Sequence, residues 1–240
     1  MKKHPILASL AIASAVASAT LVSGNAQTVV DVNTNSTWNG YMNVFNNVGG
    51  TKGSFVFGQG WGFADLKSTL TATELTLQPN YNTYADNPGD PFWRDNAGAG
   101  PDGNKWMEAI SFVEANGSIL GGGTLQFDYN VINFTLTNTM STSAFIKVLD
   151  ASSGFATVLN DTIALTGTGA NSVTADLSSY SAANYIIQYG FAMEGLNQNP
   201  VNEVANGSIV VEVVPEPSTY ALLALGAAGL GAHLVRRRRR

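Results

Sequence analysis

The sequence predicts an all-β fold, an antiparallel β-sandwich of jelly-roll type, flanked by an N-terminal signal peptide and a C-terminal apolar helix. Three observations carry the prediction for the body. Charged residues make up only 12% of the chain, while Thr, Val, Phe and Tyr are frequent and sit in short alternating runs broken by Gly, Asn, Asp and Pro, the grammar of strands and turns. Between residues 27 and 214 no stretch keeps a 3.6-residue apolar period over ten residues, and residues 65–68 form one helical turn at most. Ten strand-like segments with turn signals every 8–15 residues require two packed sheets to bury one face of each.

In chain order, strands are expected over residues 40–45, 53–58, 69–77, 105–114, 124–137, 144–149, 157–165, 172–177, 185–194 and 207–214. The alternation is sharpest in three of them. Leu125, Phe127, Tyr129 and Val131 share one face, as do Tyr185, Ile187, Tyr189, Phe191 and Met193. In the last strand Ile209, Val211 and Val213 face the core and Glu212 turns outward. Trp106, Glu108, Ile110 and Phe112 also alternate, so Trp106 is expected in the core. Trp61, between Gly58, Gly60 and Gly62, is expected to pack where backbones approach closely.

The two ends set the domain organisation. Met1-Lys2-Lys3-His4 is basic, residues 6–22 are apolar and Ala-rich, and small residues follow; this is a secretory signal peptide, residues 1–26. Cleavage is expected after Ala26, because the turn to polar residues comes at Ser23-Gly24-Asn25; Ala19 is the alternative. Residues 27–214 make one domain, and 215–240 a separate tail.

That tail has three parts. Val214, Pro215, Glu216 and Pro217 form a non-helical peptide, because the prolines disfavour helix at and before themselves. Residues 220–235 are apolar, but as a helix they span about 24 Å against a hydrocarbon core of ~30 Å. Gly226, Gly229, Gly231 and His233 weaken the run further, which suits a transient anchor better than a permanent one. Arg236, Arg237, Arg238, Arg239 and Arg240 then act as a stop-transfer cluster. At ~3 kcal/mol each, five arginines at the bilayer centre would cost on the order of 15 kcal/mol, so they stay cytoplasmic and the body lies outside.

This order of parts resembles the PEP-CTERM sorting signal of Gram-negative bacteria. The resemblance implies processing by an exosortase that recognises Pro215-Glu216-Pro217. It also implies an exported protein of the cell envelope, cell surface or extracellular matrix, first anchored in the inner membrane with its C terminus cytoplasmic, in a context of exopolysaccharide. Tails of this type are also catalogued under an ice-binding label. Thr71/Thr73 and Thr135/Thr137 lack the regular repeat an ice-binding face needs and are expected to be ordinary strand threonines. Within the body, Trp38-Asn39-Gly40-Tyr41-Met42-Asn43-Val44-Phe45 with Phe57-Gly58-Gln59-Gly60-Trp61-Gly62 resembles an uncharacterised exported jelly-roll module without an assigned activity.

Charge and residue inventory exclude more than they assign. Lys2, Lys3 and the terminal arginines hold seven of the 12 basic residues, and Glu216 is the one acidic residue of 17 outside the body, whose net charge is therefore near −11. A nucleic-acid partner needs a dense basic surface and is not expected. The chain has no cysteine, and its two histidines are His4 and His233. Ser-His-Asp and Cys-His catalysis and His- or Cys-ligated metals are thereby removed from the body. What survives is carboxylate chemistry, as in a glycosidase, or no catalysis, and the second is expected. Glu108 and Glu114 lie six residues apart on one strand, about 20 Å, too far for a retaining pair unaided.

Residues 78–104 break the strand pattern with four prolines, several Asn and Gly, and the carboxylates Asp86, Asp90, Asp95 and Asp102. A connection of this length is functional or disordered as a rule. The four aspartates are a candidate Ca2+ site, although their spacing fits no EF-hand, and the competing reading is a solvated turn-rich loop. Trp93, Arg94, Asp95 and Tyr84 are a candidate sugar site, the ring stacking on a pyranose face; alternatively Phe92 and Trp93 plug an open end of the sandwich. The functional expectation is an exported surface or matrix protein that binds carbohydrate or exopolysaccharide. The alternatives are a structural envelope protein without ligand and a carboxylate glycosidase.

Overall fold

The computed structural model describes residues 26–94, 102–137 and 139–214. Asp95, the bulk of the expected signal peptide, and the tail from Pro215 through the apolar run to the five arginines lie outside the described residues. No described helix is long and apolar enough to cross a membrane.

Two six-stranded sheets form the sandwich. The first is built from β2 (Trp38–Val48), β3 (Thr51–Gly60), β6 (Asp102–Asn116), β8 (Ser141–Asp150), β9 (Ala156–Ala164) and β11 (Tyr185–Gln198). Its order is β3-β2-β6-β11-β8-β9, antiparallel throughout. The second contains β1 (Gln27–Val30), β4 (Ser68–Leu70), β5 (Glu74–Leu77), β7 (Thr124–Phe134), β10 (Gly169–Asp176) and β12 (Ile209–Glu212). Here β7 is central. β10 runs antiparallel along one side, while β1 and β12 share the other, followed by β5 and β4.

The expected all-β sandwich is present, with three local departures. β1 is an additional strand and pairs β7 in parallel, Gln27 opposite Thr124, while the preceding carbonyl of Ala26 accepts from the Thr124 N–H at 3.1 Å. Only four residues long and mostly exposed, β1 carries too little alternation to be legible. The strand expected over 69–77 is instead the hairpin β4–β5, turned by Thr71. The Thr71 hydroxyl oxygen accepts from the Glu74 and Thr73 amides at 3.0 and 3.3 Å, a side-chain turn without Gly, Pro or Asn.

The third departure is the face of β6. Met107, Ala109, Ser111 and Val113 point into the sandwich, and Trp106, Glu108, Ile110 and Phe112 lie on the outer face. Both sets alternate plausibly, so the sequence pattern did not discriminate. The register with β11 does: the Phe191 ring sits opposite Ser111, and Gly190, at φ +157°, sits opposite Phe112. A Cβ at Gly190 would lie 2.1 Å from the Ser111 carbonyl oxygen, so only glycine lets these strands approach.

The predicted inner faces of β7, β11 and β12 are otherwise as expected, with Leu125, Phe127, Ile187 and Val211 fully or almost fully buried. Phe127, Tyr129, Tyr189 and Phe191 meet across the two sheets at centroid separations of 5.2 to 5.7 Å, and Trp38 stacks on Phe191 at 6.5 Å. Such aromatic pairs add about 0.5–1.5 kcal/mol each beyond area burial. On the outer face of the first sheet Glu108 stands opposite Glu194. Lys52 ion-pairs Glu194 at 3.2 Å, and Asn43 donates to Glu108 at 2.8 Å. Lys147 lies 5.0 Å over the Phe145 ring, and burial lowers its ammonium pKa against the opposing pull of Glu108.

Candidate functional site

A second, smaller apolar cluster lies where β2 and β6 extend beyond the main core. Met42, Val44, Met107 and Ala109 meet Leu66, with Phe57, Trp61 and Trp93 packed against them. Leu66 belongs to the single helical turn α1 (Phe63–Leu66), which ends at Lys67 in the left-handed conformation. The cover over this cluster is completed by α2 (Asn82–Ala85) and the turns that follow it.

Amides hold this cover in place. Asn80 donates to the Asp65 carbonyl at 2.7 Å and accepts from the Thr83 amide and hydroxyl at 3.1 and 3.0 Å. Asn197, fully buried at the end of β11, donates to Thr83 Oγ1 at 3.0 Å and to the Trp93 carbonyl at 2.9 Å, and accepts from the Lys105 amide at 3.0 Å. One side chain thus ties α2, the Trp93 turn and β6 to β11. No motif or spacing in the sequence singles out Asn197, although it continues the inward-facing parity of Met193. A polar residue at such a position must find buried partners.

Two cavities open beside this cluster and share the wall Gly60-Trp61-Gly62. The first, about 580 Å3, is mainly apolar, with Trp38, Phe63 and Leu70 facing the lone side-chain amide Asn39. The second, about 520 Å3, is polar, with Asp65, Asp86, Gln59, Asn82 and Asn87 around the rings of Trp61 and Trp93. Each has the size of a small-molecule site. Asn82 and Asn87 each donate one amide hydrogen to a backbone carbonyl, of Ala64 and Thr83 respectively, at 2.9 Å. Their oxygens and the carboxylates of Asp65 and Asp86 remain as acceptors. The Trp61 indole N–H is shielded from solvent without a partner among the described residues.

The predicted residues separate in this geometry. Trp93 reaches the polar cavity while packing edgewise on Phe57 and Phe92, at 6.3 and 4.7 Å, so it covers the small cluster and faces the cavity at once. Arg94 is a brace. Its Nε donates to the Tyr84 carbonyl at 2.6 Å, its terminal NH2 donates to the Ala85 carbonyl at 3.4 Å, and the guanidinium lies 4.2 Å over the Tyr84 ring. Tyr84 in turn accepts from Asn199 at 3.2 Å. Of the calcium candidates, Asp86 is exposed at the polar cavity, and Asp90 is exposed and accepts from the Phe92 amide at 2.9 Å. Asp102 opens β6, and Asp95 lies outside the described residues. Among the described residues no three acidic groups gather as a metal cluster. Trp61 packs as expected, but it also forms the wall between two cavities, which only the folded arrangement reveals.

The last strand runs directly into the tail. Val213 and Val214 donate to the carbonyls of Thr73 and Val32, both at 2.8 Å, so the fold is hydrogen-bonded up to the residue before Pro215. The family model of the PEP-CTERM protein-sorting motif matches residues 213–240. The chain carries a PEP-CTERM sorting motif. It is accordingly an exported, envelope-associated protein whose sorting depends on an exosortase. The match begins at Val213, which is also a core residue, 4% exposed. No curated protein and no solved structure matches the chain.

Proposed function

We propose that this PEP-CTERM protein is a non-enzymatic component of the cell surface or extracellular matrix whose sandwich binds carbohydrate. The observation that supports the binding role is the polar cavity, where the rings of Trp61 and Trp93 stand beside the carboxylates of Asp65 and Asp86. Aromatic faces accept the C–H faces of sugar rings, and convergent polar groups fix the hydroxyls. The Glu108–Glu194 juxtaposition is a weaker basis for glycoside hydrolysis. Both residues lie on the open outer face, one bonded by Lys52 and the other by Asn43, whereas hydrolysis needs one carboxyl free as the acid.

A glycan microarray tests the reading. Saturable binding by the wild type, lost in Gln59→Ala/Asp86→Ala and in Trp93→Ala, is the expected result. The first variant alters exposed side chains, which separates loss of the site from loss of packing at Trp93. Uniform absence of binding by folded protein favours a structural envelope role. Transient membrane anchorage through residues 220–235 belongs to the same proposal. Replacing Arg236–240 with serine should let the tail slip through the membrane unprocessed, and normal processing in a host with the sorting enzyme would refute the stop-transfer role.

A further inference from the structure

We infer that the two cavities form one continuous site for a linear chain of neutral or amino sugars, and that uronate chains are rejected. The inference rests on the carbohydrate reading above and goes beyond it in length and charge selection. Length follows from the shared wall. Trp61 and its flanking glycines border both the 580 Å3 and the 520 Å3 cavities, so a ligand long enough to pass over this shared wall from the polar half reaches the apolar half. Ring faces or acetyl methyls fit the half bordered by Trp38, Phe63 and Leu70, where Asn39 supplies the lone polar side chain.

Charge selection follows from the donor and acceptor inventory. Among the described residues no lysine or arginine lines either cavity, and the nearby Arg94 is bonded to backbone carbonyls. Asp65 and Asp86 have no ion pair among the described residues. One N–H of each of Asn82 and Asn87 is spent on the backbone, and the two carboxylates make the wall negative. Hydroxyl, amide N–H and ammonium groups satisfy such a wall. A uronate carboxylate would meet the like charge of Asp65 and Asp86, which opposes binding.

Titration calorimetry on the full chain in detergent micelles tests this with neutral, amino-sugar and uronate hexasaccharides and the matching disaccharides. The expected result is that a neutral or amino hexasaccharide binds at least about tenfold tighter than its disaccharide, with no heat from the uronates. Asn39→Ala should weaken the hexasaccharide more than the disaccharide, and Asp65→Lys/Asp86→Lys should admit uronates. Equal affinity for both lengths, or wild-type binding of uronates, overturns the inference and leaves carbohydrate binding standing. Absence of binding to every neutral and amino sugar, by protein with an intact β-type circular dichroism spectrum, overturns both.

Discussion

Replacing Asn197 by alanine should unfasten the cover of the small apolar cluster and destabilise the whole domain. The side chain makes three hydrogen bonds, to Thr83 Oγ1, the Trp93 carbonyl and the Lys105 amide, at 2.9 to 3.0 Å, and is fully buried. Two partners retain a second bond: the Trp93 carbonyl also accepts from Asn104 at 3.0 Å, and the Thr83 hydroxyl donates to Asn80 at 3.0 Å. Each of those losses is worth about 1 kcal/mol. The Lys105 amide loses its Asn197 acceptor inside the protein, and an orphaned buried donor costs about 1–3 kcal/mol. The total is about 4 kcal/mol, which for a domain of this size lowers Tm by roughly 8–16 °C. Thermal unfolding followed by circular dichroism measures it, with Asn39→Ala as an exposed control. A Tm within about 3 °C of wild type would refute the assignment of Asn197 as the tie between the loop and the sheet.

Three further predictions concern pH, cation and tail. Asp150 accepts from Ser152, Ser153 and Asn184, bonds that pull its carboxyl pKa down to about 2. A depressed folded pKa contributes stability above the unfolded value near 3.8 and loses it as pH falls through about 2. Asp150→Ala should therefore lower Tm at neutral pH, with the difference from wild type closing at the acid limit; a difference constant down to pH 2 would refute the assignment. If Asp86, Asp90, Asp95 and Asp102 share a Ca2+, saturating calcium should stabilise the fold by about 2.7 kcal/mol at a hundredfold excess over Kd, whereas melting indifferent to calcium and to EDTA leaves the segment as solvated turns. Truncation after Val214 should give a soluble protein with one cooperative transition, because sheet pairing ends at that residue and proline closes a strand without breaking a ladder. An aggregated product would mean that the sandwich needs the tail or a partner.

Sequence by itself determined the fold class, the inward faces of β7, β11 and β12, and the sorting tail, because each is a local signal. Alternation of Tyr189, Phe191 and Met193 can be satisfied only on a pleated strand with one buried face. Pro215 and Pro217 beside an apolar run and five arginines declare their environment without reference to the fold. Local pattern failed where two faces were equally apolar, as in β6, or where an oxygen of Thr71 replaced the usual turn residue. The cavity region lay further out of reach. Its walls come from residues 38–40, 59–63, 65, 70, 82–83, 86–87 and 93, and its anchor, Asn197, lies more than a hundred residues beyond Trp93. Which acceptors stay free there depends on which amide hydrogens the fold has already taken, and only the tertiary structure decides that.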